Sequence, residues 1–326
     1  MTDTKTIPVL IPGRMHAGTL EALQGLFDVR QAQGQPIESL SESERAGIRG
    51  VALMGVFTAE MMKLLPNLEI IAHFGVGYDG VDAGYAAANG IMVTNTPDVL
   101  TDEVADTTIG LLLNTVRELS RAEAYLRAGN WEKNGNYPLT KTTLRGRSVG
   151  IMGLGRIGLA IARRLEGFGV PIAYYNRSER DDVAYAYHPD LKSLAAAVDT
   201  LIVAAPGGAG TDKAVDAAVL AALGPDGVLI NIGRGTVVDE DALIAALQNG
   251  TIRAAGLDVF AREPHVPQAL IDLDNAVLLP HVASASEHTR QQMGNLVIQN
   301  LEAWFSGRPP ATPVPEAVKA GLERRG

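Results

Sequence analysis

Three side chains suited to acid–base or anion chemistry occur late in the chain, each beside a glycine or a proline. Arg234 stands between two glycines, Glu263 precedes Pro264 and His281 follows Pro280. A guanidinium group can hold a carboxylate through two parallel hydrogen bonds. Histidine ordinarily titrates at about pH 6.5 and can therefore act as an acid, and a nearby carboxylate would orient it and favour its charged form. A cation that holds a carboxylate and an acid that protonates an alkoxide are two of the three things that reduction of a keto acid requires; the third is a hydride donor.

Each of these residues also has a plain structural interpretation. Arg234 is compatible with a turn, His281 with the capping of a helix and Glu263 with an exposed acid. Their sequence context favours catalysis, because residues 231–235, 256–264 and 279–284 each follow a β-rich run. Ligands in α/β proteins bind at the carboxyl ends of the strands.

A glycine-rich run lies between an apolar strand pattern at residues 149–152 and a helical pattern at residues 159–165. It has the form G-x-G-x-x-G and consists of Gly153, Leu154, Gly155, Arg156, Ile157 and Gly158. In such a run one glycine makes a tight turn, one lets the backbone approach a pyrophosphate and one lets the helix pack on the strand. The helix N-terminus adds amides and a partial positive charge. The context predicts a dinucleotide-binding turn, with a simple strand–helix turn as the alternative.

The end of the next strand indicates which dinucleotide binds. NAD sites place an acidic residue about 20 residues after the glycines, where it accepts from the ribose 2′-hydroxyl. Here Arg177 lies 19 residues after Gly158 (177 − 158), between Asn176 and Ser178. Arginine can pair with a 2′-phosphate through two hydrogen bonds, and its neighbours can donate to the same group. NADPH is the predicted cofactor; an exposed surface arginine near Glu179 is the alternative.

The 326 residues suffice for about two domains. Short β-rich runs alternate with helical stretches, which predicts an α/β protein with two Rossmann-like domains, each with a doubly wound parallel sheet. A long helix is expected from Thr101 or Asp102 to Gly129, then an arm or loop over residues 130–143, and a last helix over about residues 287–306. Return of that last helix to the first unit gives two crossovers and an active-site cleft between the domains.

Composition narrows the function classes. The net charge of −9 disfavours a general attraction to nucleic acid or to an anionic membrane. No apolar run approaches the roughly 18 residues that span a bilayer, and residues 1–5 show no cleavable signal. The chain has no cysteine, which excludes disulfides, thiolate metal sites and cysteine nucleophiles. We expect no metal site, and we expect a cytoplasmic location.

The motifs together resemble the D-isomer-specific 2-hydroxyacid dehydrogenases, and within them the glyoxylate/hydroxypyruvate reductases. The resemblance spans nearly the whole chain and is carried by residues 95–102, 150–158, 231–235, 256–264 and 280–284. It implies that Arg234, Glu263 and His281 are catalytic, and that NADPH reduces glyoxylate to glycolate and hydroxypyruvate to D-glycerate.

The resemblance also implies further site residues and a domain plan. The amides of Val76 and Gly77 would bind the substrate carboxylate, and Asp258 would hold the nicotinamide amide. The remaining implied cofactor contacts are Ala205, Pro206, Thr211, Ile232, Gly233 and Ala283. Residues 1–99 with 287–326 would form the substrate-binding lid domain and residues 100–286 the NADP-binding domain, with a dimerisation arm near residues 129–146. The family resemblance implies a homodimer, in which Trp131 either reaches the partner's active site or is an ordinary interface aromatic.

Two departures from the family pattern concern substrate preference. Many members have glycine at Ala283 and threonine at Ser286. Reductases of D-lactate type, of phosphoglycerate type or of bulkier acids such as hydroxyphenylpyruvate are the alternatives within the family. Glutamate at position 263 argues against a formate dehydrogenase, which carries glutamine there. A non-catalytic nucleotide-sensing protein with the same fold is the alternative from another class.

Overall fold

The computed structural model describes residues 4–322; residues 1–3 and 323–326, part of the predicted lid domain, lie outside the described residues. The described residues form two compact units, one comprising residues 4–100 and 286–322 and the other Thr101–Ala285. Within the described range there are twelve strands and fourteen α-helices. The strands are β1 Pro8–Ile11, β2 Asp28–Gln31, β3 Gly50–Leu53, β4 Ile70–His73, β5 Met92–Thr94, β6 Val149–Met152, β7 Ile172–Tyr175, β8 Ala186–His188, β9 Thr200–Val203, β10 Val228–Asn231, β11 Ala254–Leu257 and β12 Ala276–Leu278.

Seven of the α-helices begin at a polar capping residue whose side chain accepts from a backbone amide of the first turn. These capping residues include Ser41, Thr58, Asp82, Asp190 and Asp216. The helices are α1 Ala17–Leu26, α2 Glu42–Gly47, α3 Ala59–Lys63, α4 Ala83–Ala88, α5 Thr101–Arg117, α6 Leu119–Arg127, α7 Asn130–Asn134, α8 Arg156–Glu166, α9 Leu191–Ala197, α10 Ala217–Leu223, α11 Glu240–Gln248, α12 Gln268–Ile271, α13 Glu287–Phe305 and α14 Pro315–Lys319.

The first unit contains a five-stranded sheet with the order β2-β1-β3-β4-β5, in which all pairs are parallel. Every residue of β3 and β4 is buried, as expected for strands that helices cover on both faces. Helix α13 packs on α1 and β4 of this unit. Strand β2 was not predicted, because its sequence Asp-Val-Arg-Gln is polar and it lies at the sheet edge, where no apolar pattern is required.

The second unit contains a seven-stranded parallel sheet with the order β12-β11-β10-β9-β6-β7-β8. Strand order reverses between β6 and β9, which is where the crevice of a doubly wound sheet opens. The predicted α/β class with two parallel, doubly wound sheets is confirmed. Strand β8 was also missed, and it too is a short, partly exposed edge strand.

The single long helix predicted up to Gly129 is wrong. Helix α5 ends at Arg117, and Glu118 has a left-handed backbone (φ 52°) that no continuous α-helix allows. Asn114 stabilises the break, because its amide group both donates to the Ser120 hydroxyl and accepts from the Ser120 amide, at 2.7 and 2.9 Å. The segment expected to be an arm or loop, residues 130–143, begins with the short helix α7.

No helix in residues 4–322 is both long and apolar enough to cross a membrane.

Candidate active site

The three segments predicted to carry the chemistry follow strands that are neighbours in the second sheet. The first segment, residues 231–235, begins at the last residue of β10 and continues into the loop after it. The second, residues 256–264, begins at the end of β11, and the third, residues 280–284, follows β12. These strands are adjacent and parallel, so their carboxyl ends meet at one edge. The sheet therefore assembles Arg234, Glu263 and His281 from separate parts of the sequence.

Glu263 and His281 form a hydrogen-bonded pair. Glu263 Oε2 lies 2.7 Å from His281 Nδ1, while Oε1 accepts from the Phe260 amide at 3.0 Å. Burial raises the pKa of Glu263. The hydrogen bond with His281, the Phe260 amide and the charges of His281 and Arg234 outweigh burial, so the pKa lies below its ordinary value. Glu263 is thus held as a carboxylate facing the imidazole, and the Nε2 atom is left to act on a substrate.

The backbone of His281 is held in an unusual conformation by Asp258. His281 has a φ of 54°, and its amide donates to the Asp258 carbonyl at 2.9 Å. The two carboxylate oxygens of Asp258 accept from the amides of Val282 and Ala283, at 2.7 and 2.9 Å. Burial raises the pKa of Asp258, with the two amides and the charge of His281 opposing it. Asp258 therefore supports the loop that carries the imidazole; its predicted contact with the nicotinamide stays a prediction.

Arg234 lies in a tightly packed segment. The buried Asn231 side chain donates to the Arg234 carbonyl and accepts from the Gly233 amide, both at 3.0 Å. A Cβ atom added to Gly235 would overlap the Phe260 carbonyl, so only glycine lets this segment approach the one that carries Glu263. Asn231 was not singled out from the sequence, although its place at the buried end of a strand is a signal for such a role.

The glycine-rich turn has the shape expected of a phosphate cradle. Gly153 has a φ of 95°, and a Cβ there would lie 2.7 Å from the Ala205 amide nitrogen. A Cβ on Gly158 would overlap the Gly153 carbonyl oxygen, so this glycine permits helix α8 to pack on the turn. A Cβ on Gly155 would meet nothing within 4 Å, which leaves open space where a pyrophosphate would approach. The turn fits a dinucleotide.

The residues predicted to select NADPH lie beside this turn. Asn176 Oδ1 accepts from the Leu154 amide at 2.7 Å, and Arg177 and Ser178 are exposed. Within residues 4–322, Arg177 has no ion-pair or hydrogen-bond partner, so its guanidinium is available to a phosphate. Arg180, which the sequence reasoning passed over, donates to the Leu154 carbonyl at 2.8 Å and pairs with Asp182.

The other predicted residues occupy loops at strand ends or the arm. Val76 and Gly77 are half-buried in the loop after β4 of the first unit, and Trp131 in α7 is 59% exposed. The remaining predicted cofactor contacts follow β9 and β10, with the Thr211 hydroxyl donating to the Pro206 carbonyl at 2.7 Å. They are Ala205, Pro206, Thr211, Ile232 and Gly233. No cluster of three metal-ligating side chains occurs in the part of the chain that is described.

Comparison with known proteins agrees with this geometry. The family model of the D-isomer specific 2-hydroxyacid dehydrogenase NAD binding domain matches residues 109–283. The chain is 48% identical to glyoxylate/hydroxypyruvate reductase A of Arabidopsis thaliana, over 95% of this chain and 99% of that one. This chain belongs to the D-isomer-specific 2-hydroxyacid dehydrogenases. The predicted family and enzyme class are confirmed.

Two further dehydrogenase relatives bear on cofactor and substrate. A crystal structure of the NADPH-dependent glyoxylate/hydroxypyruvate reductase of Sinorhizobium meliloti, in complex with NADP and malonate, matches with a TM-score of 0.94. That protein is 55% identical, and the match covers 98% of this chain and 99% of that one. A hydroxyphenylpyruvate reductase of Plectranthus scutellarioides is 51% identical over 78% of this chain and 81% of its own length.

Proposed function

We propose that this dehydrogenase uses NADPH to reduce small 2-keto acids, with glyoxylate and hydroxypyruvate as the leading substrates. The observation that carries the proposal is the Glu263–His281 pair at 2.7 Å, in a sheet edge that also holds Arg234. The Arabidopsis and Sinorhizobium relatives, both described as glyoxylate/hydroxypyruvate reductases, support the choice of substrates.

In the proposed reaction, Arg234 and the amides of Val76 and Gly77 hold the substrate carboxylate. Because Glu263 engages Nδ1 of His281, the proton that reaches the new hydroxyl comes from Nε2. The Glu263 carboxylate stabilises the imidazolium before the transfer and fixes the plane of the ring. NADPH, when bound, supplies the hydride.

Residues 153–158 would hold the pyrophosphate of NADPH and Arg177 its 2′-phosphate. The open space at Gly155 and the exposed guanidinium of Arg177 support this assignment. Asn176 Oδ1 is occupied by the Leu154 amide, so its Nδ2 group is the part that can donate to a phosphate oxygen. The Sinorhizobium structure, which holds NADP, agrees with the predicted cofactor.

Steady-state kinetics test the proposal directly. We expect kcat/KM to be highest with glyoxylate or hydroxypyruvate and NADPH, and much lower with NADH. Hydroxyphenylpyruvate should be assayed beside them, because the Plectranthus relative is a reductase of that acid. A higher kcat/KM with hydroxyphenylpyruvate would contradict the choice of glyoxylate and hydroxypyruvate as leading substrates. Binding of NADPH without turnover of any keto acid would contradict an enzyme and favour a nucleotide-sensing protein.

We also propose a cytoplasmic homodimer formed through the arm. Leu126, Trp131 and Leu139 are large apolar side chains that are 53%, 59% and 96% exposed, and apolar surface of this kind is typical of protein interfaces. The absence of cysteine fits a reducing compartment. Light scattering coupled to size exclusion should give twice the mass of 34.4 kDa; a monomer would contradict the dimer. The contact of Trp131 with a partner's active site and the cleft between the two domains stay predictions.

A further inference from the structure

Residues 75–78, the substrate loop, are held by residues 311–316, the C-terminal clamp. The clamp pairs with the end of β5: the Val314 amide donates to the Val93 carbonyl at 3.0 Å, and Pro313 forms an antiparallel bridge with Thr94. It therefore acts as a short extension of the first sheet, directly beside the residues that contact the substrate loop. Both segments lie in the first unit.

Two carbonyls of the substrate loop are fixed by the residues after β5. The Gly75 carbonyl accepts from the Thr96 amide at 2.9 Å, and the Val76 carbonyl accepts from Asn95 Nδ2 at 2.8 Å. In a planar trans peptide the carbonyl and the following amide point in opposite directions. The Val76 and Gly77 amides are therefore turned away from Asn95 and Thr96 and share one side of the loop. Two adjacent amides on one side are suited to a carboxylate.

Asn95 is itself held by a hydrogen-bonded chain that begins in the core. The Thr312 hydroxyl donates to the Asn95 carbonyl at 2.6 Å and accepts from Asn300 Nδ2 at 2.8 Å. The Asn95 amide donates back to the Thr312 carbonyl at 3.2 Å. Asn300, in α13, is fully buried, and its Oδ1 accepts from the amides of Ala311 and Thr312. Because buried polar groups are costly to leave unpaired, this chain strongly favours a single arrangement.

A second bond reaches the substrate loop from the other end of the clamp. The Tyr78 hydroxyl donates to Glu316 Oε2 at 3.0 Å, at the start of α14. Burial and the Glu316 carboxylate raise the pKa of Tyr78 to about 12, so the phenol remains a donor throughout the pH range of an assay. The loop is thus attached to the clamp through Asn95 and, independently, through Tyr78.

We propose that Asn95 and the C-terminal clamp are positioning elements that aim the Val76 and Gly77 amides at the substrate carboxylate. The inference rests on the proposed function, because it takes these amides to be the carboxylate site. Asn95, Thr312 and Tyr78 act through the loop and are not catalytic residues. The carboxylate is bound in both the ground state and the transition state. Poorer orientation of the two amides should therefore raise KM and leave kcat nearly unchanged.

The matched pair Thr312→Val and Thr312→Ser tests the clamp. Valine keeps the size but removes the hydroxyl that connects Asn300 to Asn95, whereas serine keeps it. We expect Thr312→Val to raise KM for glyoxylate about tenfold, as the loss of one hydrogen bond of about 1.4 kcal/mol would. Thr312→Ser should restore KM to near the unsubstituted value, and both variants should bind NADPH normally.

Tyr78→Phe serves if Thr312→Val folds poorly, since it removes only the half-buried hydroxyl that reaches Glu316. Tyr78→Phe should raise KM for glyoxylate. It should also raise the Kd of oxamate, a non-reducible keto-acid analogue, by the same factor as KM. Calorimetric titration of oxamate into NADPH-saturated protein measures that factor without turnover. A lower melting temperature with unchanged KM and unchanged oxamate affinity would overturn the proposal and leave the clamp a purely structural element.

Hydrogen exchange of the free protein separates this inference from the proposed function. Faster exchange of the Asn95 and Thr96 amides, which donate to the Thr312 and Gly75 carbonyls, in Thr312→Val but not in Thr312→Ser supports the clamp even if the unsubstituted protein reduces no keto acid. Equal exchange in both variants and in the unsubstituted protein overturns it, even if glyoxylate is a good substrate. Failure of the proposed function would instead appear as absent turnover in the unsubstituted protein.

Discussion

Replacing Glu263 with glutamine tests how the carboxylate acts on the catalytic imidazole. The substitution keeps an oxygen for the Phe260 amide and removes the negative charge 2.7 Å from His281 Nδ1. Reduction requires the protonated imidazole, and a neighbouring carboxylate favours that form. Glutamine carries no charge and so removes that preference for the protonated form. The descending limb of kcat/KM for keto-acid reduction should therefore move to lower pH.

The size of the effect follows from the exposure of the pair. The side chains of His281 and Glu263 are 48% and 33% exposed, so solvent weakens their attraction. We therefore take the lower end of the range for a charge-assisted hydrogen bond, about 1.5 kcal/mol. A loss of that size corresponds to a roughly tenfold lower kcat/KM for reduction at a pH above the descending limb. The pKa of Glu263 is lowered in part by the same hydrogen bond, which agrees with the sign.

The assay compares pH profiles of kcat/KM for glyoxylate reduction and glycolate oxidation. Oxidation requires the neutral imidazole, so its ascending limb should also move to lower pH in Glu263→Gln. At low pH, where the imidazole is protonated in both proteins, reduction by the variant should recover much of its rate. His281→Ala should abolish the titration.

Glu240→Gln is a matched control. Glu240 also accepts from a backbone amide of the same loop, that of Ala261 at 3.1 Å, but it does not pair with the imidazole. Its pH limbs should stay in place. Unmoved limbs in Glu263→Gln, with activity reduced evenly at every pH, would refute the reasoning and show that Glu263 positions groups without favouring the charged imidazole.

Three further predictions concern the cofactor, the substrate and the packing of the site. Arg177→Ala should raise KM for NADPH about 10- to 150-fold and leave KM for NADH nearly unchanged, since a contact to the 2′-phosphate contributes about 1.5–3 kcal/mol. Equal losses with both cofactors would contradict the assignment of Arg177 to the 2′-phosphate. Arg234→Lys keeps the charge but loses the planar guanidinium, so kcat/KM for the keto acid should fall steeply. The Kd of NADPH, measured by fluorescence titration, should change little. Loss of NADPH binding would instead make Arg234 a phosphate ligand or a structural residue. Gly235→Ala should destabilise the fold by about 1–3 kcal/mol in urea unfolding and reduce activity, because the new methyl group overlaps the Phe260 carbonyl; normal stability would show that the loop relaxes freely.

Local patterns predicted much of the fold because they act over short stretches of chain. Buried parallel strands require apolar runs, and β3, β4, β6 and β9 show them. The edge strands β2 and β8 lack such runs, since water and side chains can satisfy their outer faces. The break after α5 was also missed, because it depends on the contact between Asn114 and Ser120 and not on a helix-breaking residue.

The sequence by itself determined which functional groups are present and where: a guanidinium, a carboxylate and an imidazole, each after a strand, and a glycine turn followed by an arginine. Residue type and spacing suffice for this, because side-chain chemistry and the tight turn are local properties. Only the tertiary structure decided which atoms meet. Glu263 faces Nδ1 of His281 from 18 residues away, and Thr312 fixes Asn95 across 217 residues. Such contacts arise from strand order and helix packing, which bring distant segments together and leave no signal in either segment alone.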